Sequence, residues 1–299
     1  MDTIPVILDT DIGSDIDDAV ALAYLLKQPL CELVGITTVS GEPEKRAMLA
    51  DAVCRAAGRD TVPVHVGTPS SLLVGSRQPH APQAEALTEQ WPHREFAKTN
   101  TAIDFLRETI HARPGEITLL AIGPLTNLAL LFTLDPEIPT LLKGLTLMGG
   151  QFYTRGAYMG QAEWNVLCDP HAAEVVFRAP VPLLTAIGLD VTTQCVLPAD
   201  ECRKRFTAAG GALGLVAAMA EVWFRHVPNI TFHDPLAATA LFEPSLCEYQ
   251  NEQIEVELVS PRAQGQTLTI HDAKTRPHKV AESVRAEAFF EHYFSIVGG

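Results

Sequence analysis

The sequence predicts an α/β fold: a single doubly wound, mostly parallel sheet with helices on both faces and a mixed C-terminal part. Three observations point there. Short apolar runs rich in Val, Ile and Leu alternate with segments of helical period, the pattern of buried parallel strands joined by crossover helices. Polar and acidic residues gather directly after those runs, where open parallel sheets bind ligands. The chain has 299 residues, 47% hydrophobic and 19% charged, enough for a large core, read here as one domain over 1–299.

The first strand is "PVIL" (5–8), followed by an acidic turn and a helix over 17–27. Residues 33–39 predict the second strand and 43–57 the second helix. A third strand, 63–67, precedes "RQPHAPQAEALTEQWPHREF" (77–96), which is polar, has three prolines and shows no clean period. Long insertions of this kind in compact domains serve as lids or binding loops or are disordered, and this one is read as lid-like. Helix 100–112 leads to strand "ITLLAI" (117–122), helix 125–133 to "GLTLM" (144–148), and helix 170–178 to a strand over 182–187. A helix over 213–226, two strands at 253–259 and 266–271, and a last helix at 282–296 complete the chain.

Composition excludes several functions. A net charge of −14 disfavours a nucleic-acid binder, which needs a basic stripe to displace counterions. No apolar run approaches the ~18 residues that would span a bilayer, so no membrane partner is expected. The six cysteines form no CxxC pair, which predicts reduced core thiols. No basic n-region or cleavage site stands ahead of the first strand, and the expected location is cytoplasmic.

Five aspartates, Asp9, Asp11, Asp15, Asp17 and Asp18, crowd into ten residues after the first strand. Standing alone, Asp17 and Asp18 would be charges at a helix N-terminus. Other polar groups follow later strands: Ser40-Gly41-Glu42, Thr126-Asn127, then Met148 with Glu163 and Asn165, then Asp190, and finally His233-Asp234. Carboxylates this close raise one another's pKa unless a counter-charge is present. A hard divalent cation supplies one: calcium accepts ~6–8 oxygens and magnesium prefers six, whereas zinc favours His and Cys.

"ILDTDIGSDIDDAVAL" resembles the N-terminal signature of the inosine-uridine nucleoside hydrolase family, usually DxDPGxDDAxA. The similarity continues in the family's order through "GITTVSG", "GPLTNLA", "LMGG", "AEWNVLCDPHAA", "GLDVT" and "HDPLA". It implies an N-ribosyl hydrolase that holds Ca²⁺ and converts a ribonucleoside to free base and ribose. By that resemblance Asp11 is metal ligand and general base, Asp18 and Asp234 are further metal carboxylates, and Thr126 gives a backbone carbonyl. Asp17, Glu163 and Asn165 match residues that bind ribose hydroxyls, Met148 one that lies against the sugar, and Asp9 one that supports the ligands from behind. A homo-oligomer is implied on the same basis alone.

The chemistry suits these residue types. Asp11 would take a proton from water attacking C1′, and a floor of carboxylates would stabilise an oxocarbenium-like transition state. His233 is the candidate acid for the departing base. The pattern departs from the family at three places. Two extra residues separate Gly13 from Asp17-Asp18, so either Asp15 or Asp17 takes the ribose diol. Glu42 stands where an asparagine is usual, beside the sugar. No HGxxGL segment occurs near 77–96, and nucleobase preference is not readable. Asn127 and Asp190 are assigned to helix entry and loop structure, and Trp164 to the core. Two rival functions are weighed: a HAD-like phosphohydrolase, which also begins with a strand and DxD, and a non-catalytic Ca²⁺-dependent nucleoside-binding protein.

Overall fold

A computed structural model describes residues 3–153 and 162–298. Twelve strands run in chain order: β1 Ile4–Thr10, β2 Cys31–Thr38, β3 Val64–Val66, β4 Thr118–Ala121, β5 Gly144–Met148, β6 Leu184–Ile187, β7 Val196–Pro198, β8 Asn229–Thr231, β9 Cys247–Glu252, β10 Ile254–Val256, β11 Thr267–Thr269 and β12 His278–Val284. The helices are α1 Asp17–Lys27, α2 Pro43–Ala56, α3 Ala102–Ala112, α4 Thr126–Leu134, α5 Ile138–Leu141, α6 Trp164–Cys168, α7 Pro170–Arg178, α8 Leu189–Thr192, α9 Ala199–Ala209, α10 Gly211–Phe224, α11 His233–Phe242 and α12 Ala286–Val297.

Eight strands form the main sheet in the order β3-β2-β1-β4-β5-β6-β12-β9. Every pairing is parallel except that of β12 with β9. Strand β1 shows why the sheet needs two helical layers. Val6 and Leu8 enter one apolar cluster with residues of α1, α2, α10, α11 and α12, while Ile7 enters the other with residues of α3, α4 and α7. Successive side chains point to opposite faces, so both faces must be covered. The strand order reverses between β1 and β4, and this switch point opens a crevice at the carboxyl ends of the strands.

The C-terminal part is mixed, but its elements differ from the expected ones. Strands β10 and β11 pair antiparallel with each other, off the main sheet. Strands β9 and β12 extend the main sheet instead, and β12 occupies the start of the expected helix 282–296, which begins at Ala286. The charges of "HKVAESVR" hide the alternation of a strand near the sheet edge, where burial is one-sided. Three further elements stand outside the expected ones: β7 and α9 before α10, and β8, the antiparallel partner of β7, after it. The 77–96 segment carries a short 3-10 turn at Pro82–Ala86, and Ala84, Leu87 and Trp91 pack against the core.

Candidate active site

Strand β1 ends at Thr10, so Asp11 emerges at the carboxyl edge of the sheet. The turn that follows delivers Asp17 and Asp18 to the first turn of α1, and Asp234 sits in the first turn of α11. Both helices therefore direct their positive N-terminal ends at the carboxylates. Asp11, Asp17, Asp18 and Asp234 are all buried. One carboxylate oxygen from each of Asp17, Asp18 and Asp234 lies within 4.8 Å of the other two, and Asp11 lies against Asp18.

Hydrogen bonds hold this cluster in place. Thr10 Oγ1 donates to Asp18 Oδ1 at 2.5 Å, and the Asp234 backbone N–H donates to Asp17 Oδ2 at 3.0 Å. Behind them, Asp9 Oδ1 accepts from Thr37 Oγ1 at 2.5 Å and Asn127 Nδ2 at 2.8 Å. Gly123 is required at the end of β4, because a Cβ there would stand 2.8 Å from Asp11 Oδ1.

Burial raises the pKa of every member. For Asp17, Asp18 and Asp234 burial comes first and neighbouring carboxylates add to it, taking each well above the usual range. Burial also raises Asp11, opposed by the Arg46 charge, and takes Asp15 to about 6 and Asp9 to about 7. Arg46, fully buried, spends its guanidinium on backbone carbonyls, those of Ser40, Asp11, Ile12, Gln78 and His80. Among the described residues the crowded carboxylates thus lack a full counter-charge. An all-oxygen donor set fits a hard divalent cation and is unlike a zinc site.

Above the cluster is a cavity of about 520 Å³, within the range of small-molecule sites. Asp11, Asp15, Asp17, Asp18 and Asp234 form its acidic part. Met148, Glu163, Asn165 and His233 are also on its lining, with Ile122, Leu189 and Trp223 among the apolar groups. Glu163 caps α6, accepting the N–H groups of Asn165, Val166 and Gly150 at 2.8, 3.0 and 3.1 Å, and burial takes its pKa to about 7. Asn165 Nδ2 donates to the carbonyls of Ile122 and Met148, fastening α6 to the ends of β4 and β5. His233 Nδ1 is 2.7 Å from Thr192 Oγ1, and burial pushes its pKa down to about 4.

A family model described as inosine-uridine preferring nucleoside hydrolase matches residues 6–291. The chain belongs to that family. It is 32% identical to uridine nucleosidase 1 of Arabidopsis thaliana over 263 residues, covering 84% of this chain and 77% of the relative. It is 31% identical to the pyrimidine-specific ribonucleoside hydrolase RihB of Escherichia coli strain SE11 over 288 residues, covering 88% and 86%. Among solved structures, a purine-preferring ribonucleoside hydrolase from Gardnerella vaginalis superposes with a TM-score of 0.85 at 26% identity, covering 99% and 98% of the two chains. This nucleoside hydrolase is therefore an enzyme acting on N-glycosyl bonds of nucleosides, which removes the phosphohydrolase and the non-catalytic binding protein from consideration.

Three expected site residues are not on the cavity lining. Thr126, in the first turn of α4, donates its hydroxyl to Asp169 Oδ2 at 2.7 Å. Asp9 lies behind the cluster. Glu42 turns its carboxylate to Lys45 Nζ at 2.6 Å and to the Ala81 N–H at 3.1 Å, and Lys45 chiefly lowers its pKa. Trp164, expected in the core, is 49% exposed at the cavity rim. Its indole N–H donates to Gln78 Oε1 at 2.8 Å. Asn127 and Asp190 have the structural roles expected: Asn127 Oδ1 accepts the Thr68 N–H, and Asp190 accepts those of Phe152 and Tyr153. Sequence reasoning missed Gln78, Trp223 and Arg46. For Arg46 a signal existed, an arginine in the first turn of the helix after "GITTVSG"; Gln78 lay in a segment without period.

Proposed function

We propose that this nucleoside hydrolase cleaves the N-glycosidic bond of ribonucleosides with a calcium ion held by Asp11, Asp18, Asp234 and the Thr126 carbonyl. The observation that carries the reading is the four buried carboxylates at the floor of one cavity, with Arg46 as the one buried arginine among the described residues. When bound, the cation neutralises that floor, acidifies water and gathers the sugar's oxygens.

The chain's own groups then have distinct tasks. Asp11 takes the proton of a water whose oxygen attacks C1′ as the C1′–N bond breaks toward the base. Asp17, with Asp15 beside it, accepts hydrogen bonds from the ribose diol. Glu163, Asn165 and Met148 form the wall against the sugar. Positive charge developing on the ribose ring faces carboxylates already fixed in place, so little reorganisation is needed as the barrier is crossed. In the tautomer whose Nδ1 accepts from Thr192, a neutral His233 carries its N–H on Nε2 and can hydrogen-bond the departing base.

The six cysteines are buried and unpaired, which supports a reducing, cytoplasmic setting. Among the described residues no helix is long and apolar enough to cross a membrane.

The test is a panel of purine and pyrimidine ribosides, assayed for free base and reducing sugar after chelation and again after adding calcium. Base and ribose released only with calcium are expected. Equal turnover with and without chelator would overturn the metal assignment, and no release from any riboside would overturn the ribonucleoside reading.

A further inference from the structure

We propose that Gln78 is a positioning residue for Asp11, aimed by Trp164 and mounted on a loop that the buried Arg46 pins down. The proposal rests on Asp11 being the general base.

The amide of Gln78, itself buried, spans the cavity wall between two partners. Its Nε2 donates to Asp11 Oδ2, and its Oε1 accepts from Trp164 Nε1. An indole N–H can only donate, so Trp164 must face the amide oxygen and the NH₂ must face Asp11. The tryptophan thereby decides the amide's orientation, which the carboxylate alone also favours but does not hold in space. One oxygen of Asp11 is fixed by this bond, which sets the direction in which the carboxylate faces the cavity.

The loop is fastened on several sides. Arg46 Nη2 donates to the Gln78 carbonyl at 3.5 Å, a long contact, and to the His80 carbonyl at 3.1 Å. Glu42 accepts the Ala81 N–H, and Ser14 Oγ donates to the His80 carbonyl at 3.4 Å. Beneath it Gly41 has φ 54°, and a Cβ there would stand 2.4 Å from the Gln78 carbonyl oxygen. The beginning of the 77–96 segment is therefore a fixed mount, and Glu42 acts in it.

A residue that aims a base alters the chemical step more than substrate binding. Gln78→Ala should lower kcat on the best riboside ~10–100-fold while KM moves less than about threefold, the pattern of lost alignment. Gln78→Glu, which can accept from Trp164 but has no NH₂ for an ionised Asp11, should lose at least as much. Trp164→Phe keeps a ring and removes the N–H, and should lower kcat in the same direction. The double variant Trp164→Phe/Gln78→Ala should be no worse than Gln78→Ala alone, because both act through one contact. If Gln78→Ala does not fold by circular dichroism, Gln78→Glu and Trp164→Phe carry the test.

A kcat within threefold of the parent in the folded variants, an effect confined to KM, or fully multiplicative losses in the double variant would each overturn the proposal. Asp11→Asn is assayed in parallel. An inactive Asp11→Asn beside normal Gln78 variants sinks the positioning role alone, whereas an active Asp11→Asn overturns the assignment of the base and this proposal with it.

Discussion

Asp17 Oδ2 accepts the backbone N–H of Asp234 at 3.0 Å, tying the first turn of α1 to the first turn of α11 across 217 residues of sequence. This bond brings two buried carboxylates together, so cation binding and helix packing are coupled. Asp17→Asn keeps an oxygen for the Asp234 N–H and removes one clustered charge. Without calcium, Asp17→Asn should melt about 2–4 °C above the parent, the shift expected for ~1 kcal/mol in a large domain. With excess calcium the parent should gain more than the variant, by the linkage between ligand and fold. Thermal melts with chelator and with calcium read both; a variant that melts below the parent in chelator contradicts the repulsion argument.

Asp11→Ala should keep the fold and lose at least ~10³-fold in kcat, since general-base and metal-ligand contributions vanish together. Steady-state kinetics at saturating calcium checks this. Activity within tenfold of the parent would place the base elsewhere.

The ribose diol is proposed to meet the cation and Asp17, so 2′-deoxy and 3′-deoxy nucleosides should be poor substrates even when the base is accepted. The comparison is kcat/KM for matched pairs carrying the same base. A loss of at least ~100-fold, about 2.7 kcal/mol of transition-state stabilisation, is expected for each missing hydroxyl, and equal values would remove the diol contact.

For His233 the leaving group discriminates between roles. His233→Ala should depress natural nucleosides by ~10²-fold or more, within the usual range for proton-transfer assistance, while p-nitrophenyl riboside, whose leaving group needs little help, stays nearly unchanged. Parallel losses on both substrates, partly restored by calcium, would show instead that His233 orients Asp234.

His278 makes stability depend on pH. It is buried in β12, where Nδ1 accepts the Ile254 N–H at 2.9 Å and Nε2 donates to the Phe177 carbonyl at 2.8 Å. Burial lowers its pKa from the ordinary 6.5, opposed in part by the Phe177 carbonyl, and the Ile254 N–H occupies the Nδ1 lone pair that a second proton would need. The unfolded chain takes up a proton near pH 6.5 while the folded chain resists it. This contribution is therefore fully present above about pH 6.5 and is lost as pH falls toward the folded pKa. The loss has a limiting slope of ~1.4 kcal/mol per pH unit. Denaturant melts of parent and His278→Gln from pH 7.5 to 5 should converge as pH falls; curves that stay parallel would remove His278 from the account.

The parallel sheet was legible because β1 through β6 are buried on both faces and read as apolar runs between helices. Strand β12 was not: its charges break the alternation and its neighbour β9 is antiparallel. In the site, Asp11, Asp17, Asp18 and Asp234 stood in quoted motifs, and their convergence follows from the rule that strand ends in such sheets meet at one rim. Gln78 was illegible for the opposite reason. Its position depends on bonds from Arg46 and Trp164, distant in sequence, with no local periodicity to mark it. Trp164 looked like a core residue because its large side chain is mostly apolar, and only the turn at the start of α6 places it at the rim.

The tie between α1 and α11 has a counterpart at the chain's end, where α12 lays Tyr293 over α1 and its hydroxyl donates to the Val20 carbonyl at 2.9 Å. In a growing chain Asp11, Asp17 and Asp18 are made well before Asp234. The bond between Asp17 and Asp234 cannot form until more than two hundred further residues have emerged, and the hydroxyl of Tyr293 arrives only with α12. Nascent chains stopped short of α11 should therefore hold calcium weakly and turn over nothing. Synthesis should thus leave the site unassembled until α11 has been made.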